Sequence, residues 1–217
     1  MPAIFPKWTN RLPLLVIFGA LLVGTAVMAG VWYYFTPEYA RVGYTPIQPV
    51  PFSHAVHVDQ IRIDCRYCHS AVETSSVASL PPTQTCMTCH SQVKIDSPAL
   101  APVRQSWESG APVPWNRVND LADFAYFNHS IHIAKGVGCS TCHGNVADMA
   151  KVEQVVPLTM GWCLQCHRAP EQYLRPPEVI YDTTWQPPPN QAEQGAALVK
   201  QHGIKVDRLT NCSICHR

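Results

Sequence analysis

Apolar residues form one long run near the start of the chain. Residues 12–36 contain no charged side chain. At 1.5 Å per residue the run can cross the ~30 Å hydrocarbon core of a bilayer, which needs about 20 residues. The pattern predicts a transmembrane helix over 12–36, a cytoplasmic tail over 1–11, and a domain over 37–217 on the other side of the membrane.

Charges flanking this run predict its orientation. Lys7 and Arg11 precede it and Glu38 is the first charge after it. The positive-inside rule therefore places the N-terminus in the cytoplasm and the C-terminal domain on the periplasmic or extracellular side of the cytoplasmic membrane. Aromatic residues at both ends are expected as interfacial anchors, namely Trp8, Trp32, Tyr33, Tyr34 and Phe35.

A cleaved signal peptide is the alternative interpretation of this run. Such a peptide has an apolar region of about 7–15 residues and ends at small residues, and neither condition is well met here. A retained single-pass anchor is therefore favoured. Pairs of small residues four apart, Ala20 with Gly24 and Ala26 with Gly30, would allow close approach of another helix, although this signal is weak.

Proline interrupts the remaining sequence too often for long helices or central strands. We expect short helices in a loop-rich domain, including one from Ser97 as N-cap to Glu108 and one over Gln191–Gln201. The interrupting positions are Pro81, Pro82, Pro112, Pro114, Pro157, Pro176, Pro177, Pro187, Pro188 and Pro189.

Composition excludes several classes of protein. Only 14% of residues are charged and the formal net charge is +1. The basic residues form no run, which argues against a nucleic-acid surface. Ten Cys in 217 residues require a covalent or metal-binding explanation.

Every Cys belongs to one motif, C-x-x-C-H, which occurs five times. This motif attaches c-type haem: the two thiols form thioethers with the porphyrin and the adjacent His binds the iron. The ten residues are Cys65, Cys68, Cys86, Cys89, Cys139, Cys142, Cys163, Cys166, Cys212 and Cys215. The proximal ligands would be His69, His90, His143, His167 and His216.

Cys₄ zinc sites and five disulfides are the competing explanations for ten Cys. Neither requires a His directly after each of five Cys pairs. The sequence therefore favours five covalently attached haems.

The other five His match the number of distal ligands that five irons need. They are His54, His57, His129, His132 and His202. The simplest prediction is five bis-His haems, closed to small molecules and of low to intermediate potential. His202 is isolated in the sequence, and Met160 is its best substitute, ahead of Met87 and Met149, so four bis-His haems and one His/Met haem remain equally open.

Four of these His occur in two similar phrases. F-x-H-x-x-H appears over residues 52–57 and again over 127–132, each followed by two haem motifs. The sequence therefore predicts one unit used twice, over 52–90 and 127–167, with a fifth-haem segment over 168–217. Two His three apart on one helical turn project similarly but at different heights, so they can reach two different irons.

Porphyrins must supply most of the core of such a chain. The predicted fold class is one N-terminal transmembrane helix plus a loop-rich, mainly α multihaem cytochrome c domain organised around five haems. No catalytic residue is expected. The propionates of the haems would find partners among Arg62, Arg66, Arg104, Arg117, Arg168 and Arg175, about half of which would instead face solvent.

The repeated motifs resemble the class III, cytochrome c3/c7-like multihaem cytochromes. Together with the single anchor, four phrases look more narrowly like the pentahaem cytochrome subunit of bacterial alternative complex III. They are Ser97–Arg104, Trp115–Val118, Phe124–His132 and Met160–Arg168.

The resemblance implies an electron-transfer subunit of a quinol:electron-acceptor oxidoreductase in a respiratory or photosynthetic chain. It implies an iron–sulfur subunit, polytopic quinol-site subunits and a monohaem cytochrome as partners. In that family the pentahaem chain conducts electrons to a periplasmic acceptor and does not itself bind the quinol.

Two rival functions remain open. A membrane-anchored multihaem quinol dehydrogenase feeding periplasmic reductases would need a quinol pocket beside a haem. A haem enzyme that reduces a small oxyanion would need a five-coordinate iron. The complete set of His ligands argues against both.

Overall fold

The computed structural model describes residues 5–35 and 41–216. The chain divides into two units, Met1–Val42 and Gly43–Arg217. The predicted boundary between residues 36 and 37 lies outside the described residues, as do residues 1–4 of the predicted tail.

The first unit contains a single long helix. A 3₁₀ turn over Lys7–Arg11 leads into α1, Leu12–Phe35, which begins at the predicted residue. None of its side chains is buried by the described part of the chain, and its length and composition suffice to cross a membrane. These properties fit a membrane anchor.

The second unit is built from short helices joined by turns and loops. Its α-helices in the described part of the chain are α2 Cys65–Cys68, α3 Thr83–His90, α4 Ala101–Ser109, α5 His129–Ala134, α6 Ser140–His143, α7 Met160–Arg168, α8 Gln191–Gln201 and α9 Cys212–Cys215. A π-helical segment spans Ala55–Gln60, and 3₁₀ turns span Pro98–Leu100, Val146–Asp148, Pro170–Gln172, Pro177–Val179 and Val206–Arg208. Extended pairing among the described residues is confined to one antiparallel bridge, Val137 with Leu174.

The two predicted helices differ in outcome. Helix α8 spans the predicted residues, Gln191–Gln201. The helix expected from Ser97 instead begins as the 3₁₀ turn Pro98–Leu100 and becomes α-helical only over Ala101–Ser109. The Ser97 side chain makes no capping hydrogen bond, while its carbonyl oxygen accepts from the Arg104 guanidinium at 3.0 Å.

Few of the domain's apolar side chains are buried. The buried apolar residues in the described part are Val50, Val72, Val103, Leu174, Ile180 and Leu198. This core is small for a domain of this length, in which a conventional fold would bury many more apolar side chains. The shortage is what a core completed by large prosthetic groups would show.

Helix α8 packs closely on the turn Pro170–Gln172. Gly195 is buried there, and a Cβ at this position would overlap the carbonyl group of Glu171. The Gln191 amide fastens the same contact by donating to the carbonyl oxygens of Glu171 at 2.9 Å and Leu174 at 2.7 Å.

We expect Gly195→Ala to destabilise the domain by about 1–3 kcal/mol, because the added methyl group forces the helix away from this turn. Thermal unfolding followed by circular dichroism would measure the loss. Ala196→Ser, on the exposed face of the same helix, is the control and should stay within about 0.5 kcal/mol. Equal melting temperatures for both variants would show that the contact is loose.

Candidate haem-binding site

Each C-x-x-C-H motif lies on a short helix or at its end. His69 and His216 directly follow α2 and α9, His90 and His143 end α3 and α6, and His167 lies inside α7. A helical turn brings the two Cys of a motif to one side and presents the following His beside them. The motifs therefore have the local structure expected from the sequence.

All ten Cys are free thiols in the structure. Burial raises the pKa of Cys139 to about 11 and that of Cys142 to about 12, so these thiols are protonated at neutral pH and unsuited to act as nucleophilic thiolates. The described residues contain no group of three or more His, Cys, Asp or Glu that could hold a metal ion, as a Cys₄ zinc site would require.

Seven His rings are oriented by a backbone carbonyl. In each, Nδ1–H donates to a carbonyl oxygen, which leaves the Nε2 lone pair for a metal, the arrangement typical of metal-binding His. The pairs are His57 with Ser53 (2.8 Å), His69 with Ser79 (2.8 Å), His90 with Val93 (3.0 Å), His129 with Ser76 (2.9 Å), His132 with Asn128 (2.7 Å), His167 with Leu209 (2.9 Å) and His216 with Phe124 (3.0 Å).

His143 is oriented by a side chain instead. Its Nδ1 lies 3.3 Å from the Asn119 amide nitrogen, while the Asn119 amide oxygen is buried without a partner. A half-turn of the amide exchanges the two atoms and lets the oxygen accept from Nδ1–H. Asn119 then has the same role for His143 that a carbonyl has for the other rings.

Three pairs of His rings face each other at a common spacing. The ring centroids of His57 and His90 are 6.1 Å apart, those of His129 and His143 6.5 Å, and those of His132 and His167 6.2 Å. Two imidazoles bound through nitrogen to one metal at about 2 Å would have centroids roughly 6 Å apart. Each pair therefore leaves room for one iron between its rings.

The two F-x-H-x-x-H phrases have the same geometry. Phe52 stacks on His57 at 4.4 Å and meets His54 edge-on at 4.9 Å. Phe127 stacks on His132 at 4.5 Å and meets His129 edge-on at 4.7 Å. The first phrase lies at a π-helical segment and the second at α5, yet the Phe contacts its two His in the same way in both.

His54 is the remaining His of these phrases, and it lies among other haem-motif rings. Burial, together with smaller contributions from the nearby His69, His57 and His143, lowers its pKa to about 4. Burial also lowers the pKa of His143 to about 4, with contributions from His129 and His69. Both rings are neutral at physiological pH, as metal ligands must be.

His202 is placed differently from the other nine His. Its Nε2, the atom left available in the eight rings that are held through Nδ1, is buried without a hydrogen-bond partner among the described residues. His54 also has a buried nitrogen without such a partner, but there it is Nδ1. The ring borders a cavity of about 520 Å³ together with Arg66, Glu73, Ile180 and Tyr181. The ring contact of His216 in the described part of the chain is with Phe124, at 5.8 Å, rather than with a second His.

The Arg residues expected near propionates have varied partners. Arg62, Arg66 and Arg117 lie within ion-pair distance of Asp59, Asp64 and Asp120. Arg104 donates to the carbonyl oxygens of Ile95 at 2.7 Å and Ser97 at 3.0 Å. Arg175 is buried, with 3% of its surface exposed.

Sequence reasoning did not identify Asn119 or the carbonyl groups that orient the His rings. The acceptors for His167 and His216 lie 42 and 92 residues away, and no local pattern marks them. Asn119 could have been found only as a polar residue in a Pro-rich loop, which is too common a feature to single it out.

A family model described as cytochrome c7 and related cytochrome c matches residues 50–104 and 125–217, more than half of the chain. The chain belongs to this family of multihaem cytochromes, and family membership implies covalently bound c-type haems. The structure fits them, because it supplies free Cys pairs, oriented neutral His and ring pairs spaced for an iron.

A relative covers part of the chain. The menaquinone reductase multiheme cytochrome c subunit of Nitratidesulfovibrio vulgaris (strain Hildenborough) is 36% identical over 115 residues, which cover 48% of this chain and 55% of the relative. The chain thus spans about half the length of that protein.

Proposed function

We propose that this chain is the electron-relay subunit of a membrane quinol:electron-acceptor oxidoreductase of the alternative complex III type, carrying five c-type haems. The observation that supports this most directly is the set of facing His rings at 6.1–6.5 Å. The relative, a subunit of a menaquinone reductase, supports quinone-linked electron transfer by a multihaem cytochrome.

The Cys pairs would hold the porphyrins as thioethers, and the adjacent His would bind the irons as proximal ligands. Bound haem supplies a one-electron ferric/ferrous couple. The distal ligands follow the repeat: in each phrase the first His serves the nearer haem motif and the second serves the farther one. His54 would face His69, His57 would face His90, His129 would face His143, and His132 would face His167.

Two His would hold each of these four irons, one from a C-x-x-C-H motif and one from an F-x-H-x-x-H phrase. A closed iron has no place for oxygen, a small oxyanion or another substrate, so the residues favour conduction over catalysis. Short separations between motifs favour hopping between haems. After burial, the neighbouring Cys65 raises the pKa of Cys139, and Cys166 and Cys163 raise that of Cys142, so thiols of different motifs lie close together.

The fifth iron, held by Cys212, Cys215 and His216, would take Met160 or His202 as its distal ligand. Two observations favour Met160. The Met160 side chain is exposed, whereas the Nε2 of His202 is buried by protein atoms. Met160 also begins α7, the helix that contains Cys163. After burial, the nearby Cys215 raises the pKa of Cys163, so this helix lies close to the fifth motif.

Helix α1 would anchor the domain in the cytoplasmic membrane with the haems on the periplasmic side, as the charges of Lys7 and Arg11 favour. Partners of the kind found in alternative complex III, an iron–sulfur subunit, polytopic quinol-site subunits and a monohaem cytochrome, would bring electrons to the domain and take them away.

The name of the relative favours a second candidate with the opposite direction of flow. A menaquinone reductase delivers electrons to the quinone, so the same relay would then be fed by a periplasmic donor. The chain's own ligand set is compatible with either direction, because closed haems conduct both ways.

Purification of the tagged chain from membranes in mild detergent would test the proposal. We expect an iron–sulfur protein and polytopic membrane proteins to accompany it, and the assembly to oxidise a quinol while the isolated chain does not. Quinol oxidation by the isolated chain would instead identify a quinol dehydrogenase. Reduction of menaquinone but no quinol oxidation would favour the second candidate.

The isolated chain also tests closure of the irons. We expect no change in its haem spectrum on addition of cyanide or nitrite. A ligand-induced change at one of the four bis-His haems would contradict the relay and favour reduction of a small oxyanion.

A further inference from the structure

Arg175 is a buried cation attached to one haem-binding turn. Its guanidinium nitrogen Nη2 donates to the hydroxyl oxygens of Ser140 at 3.1 Å and Thr141 at 3.2 Å. These are the two residues between Cys139 and Cys142. Nη1 donates to the carbonyl oxygen of Asp182 at 3.1 Å, so both terminal nitrogens of the guanidinium are held by hydrogen bonds.

The surroundings leave the guanidinium no freedom to move. It lies over the Trp185 ring, 4.4 Å from the ring centroid. On the other side is Gly138, where any Cβ would overlap the guanidinium group. The Arg175 backbone N–H also donates to the Gly136 carbonyl oxygen at 2.9 Å.

Nothing nearby neutralises this charge at contact distance. Among the described residues no carboxylate oxygen lies within 4.0 Å of the Arg175 guanidinium, and its Nε is buried without an acceptor. The nearby Asp182 carboxylate is exposed and accepts hydrogen bonds from the Thr184 backbone and hydroxyl. Burial lowers the pKa of Arg175, but a guanidinium keeps its proton at any physiological pH.

A buried, unpaired cation is costly, and it persists where it has a function or where other contacts offset the cost. A haem propionate would not supply a counter-charge at the Arg175 Nε, because protein atoms already enclose this nitrogen. The cation therefore acts on its surroundings through its field. Inside a protein this field is screened less than it would be at the surface.

We propose that Arg175 is a positioning and tuning residue that raises the reduction potential of the haem attached at Cys139 and Cys142. This inference rests on the proposed haem site at that motif. Gain of one electron makes the haem less positive, so a fixed neighbouring cation favours the ferrous form. Electrons moving through the relay would rest longer at this haem than at the other bis-His haems.

Redox titration of the full-length holoprotein, followed by electron paramagnetic resonance, would test this. The rings of His129 and His143 are nearly parallel, at 6°, whereas the other two facing pairs are inclined by 65° and 32°. This difference in ligand orientation would distinguish the signal of the haem at His143 from those of the haems at His90 and His167.

We expect Arg175→Gln to shift the reduction equilibrium of this haem about tenfold toward the ferric form, equal to about 59 mV for one electron. Arg175→Lys, which retains the charge, should recover most of the shift. Lys151→Gln, which removes an exposed cation, is the control and should change none of the five steps.

A second pair of variants keeps Arg175 and covers the case in which Arg175→Gln does not fold. Ser140→Asp places a carboxylate beside the guanidinium, and Ser140→Asn is its neutral counterpart. We expect the aspartate to lower the potential of the same haem relative to the asparagine. Equal potentials in the two variants would overturn the proposal.

Intact mass separates this inference from the haem assignment. A wild-type protein without a haem at Cys139 and Cys142 would refute the proposed site itself. A fully loaded protein whose potentials do not respond to Arg175→Gln or Ser140→Asp would refute only the role of Arg175.

Discussion

A Cys65→Ala/Cys68→Ala variant is expected to lose the folded domain, and not only one haem. The described part of the protein buries few apolar side chains of its own, and one of them, Val72, lies three residues after this motif. Removal of the porphyrin here would leave a cavity of its size beside a segment with little other support, and large cavities are strongly destabilising.

The first haem segment also connects the two repeat units. The carbonyl oxygen of Ser76 accepts from Nδ1 of His129 at 2.9 Å and from the His129 backbone N–H at 3.1 Å. The Ser75 carbonyl oxygen accepts from the Ser130 backbone N–H at 3.1 Å. Loss of order around Cys68 would therefore release a ligand of the second unit as well.

Circular dichroism, limited proteolysis and haem content by mass would measure the effect. We expect the variant to retain fewer than four haems and to be digested rapidly. Cys212→Ala/Cys215→Ala is the matched control, because Cys212 is exposed whereas Cys65 and Cys68 are half-buried. That variant should keep four haems and the rest of the fold. A stable Cys65→Ala/Cys68→Ala protein with four haems would show that the porphyrins are not the core.

Much of the donor set could be predicted from the sequence because its rules are local. A C-x-x-C-H motif needs only one turn of backbone, and the phrases at Phe52 and Phe127 orient two His each within six residues. In the second phrase His129 and His132 lie beside different rings, His143 and His167, and in the first phrase His57 lies beside His90. That the two His of each phrase bind different irons stays a prediction.

What could not be predicted depends on distant segments. Nδ1 of His216 is oriented by Phe124 and that of His143 by Asn119, and both contacts arise only when loops of no fixed pattern converge. The same holds for Arg175, which sequence alone could describe only as one cation among several. Its burial follows from the packing of Trp185 and Gly138 around it.

The ligand of the fifth iron gives the second large effect. We expect the ferric wild-type protein to show the weak charge-transfer band of Met-bound iron near the red end of the spectrum, and Met160→Leu to abolish it. Met160→His should instead lower the highest of the five potentials. Axial-ligand identity spans about 0.8 V among haem proteins, so this shift should exceed the 59 mV of a tenfold change.

His202→Ala is the matched control for this experiment. Its Nε2 is enclosed beside Gly136 and has no hydrogen-bond partner in the described part of the chain. Removal of the ring should therefore leave the band and the five potentials unchanged, with at most a modest loss of stability. The opposite pattern would assign the fifth iron to two His: no band in the wild type, no effect of Met160→Leu, and a new cyanide-binding haem in His202→Ala. Such a result would require His202 to turn out of its enclosed position when the haem at His216 is bound, and would make all five irons chemically alike.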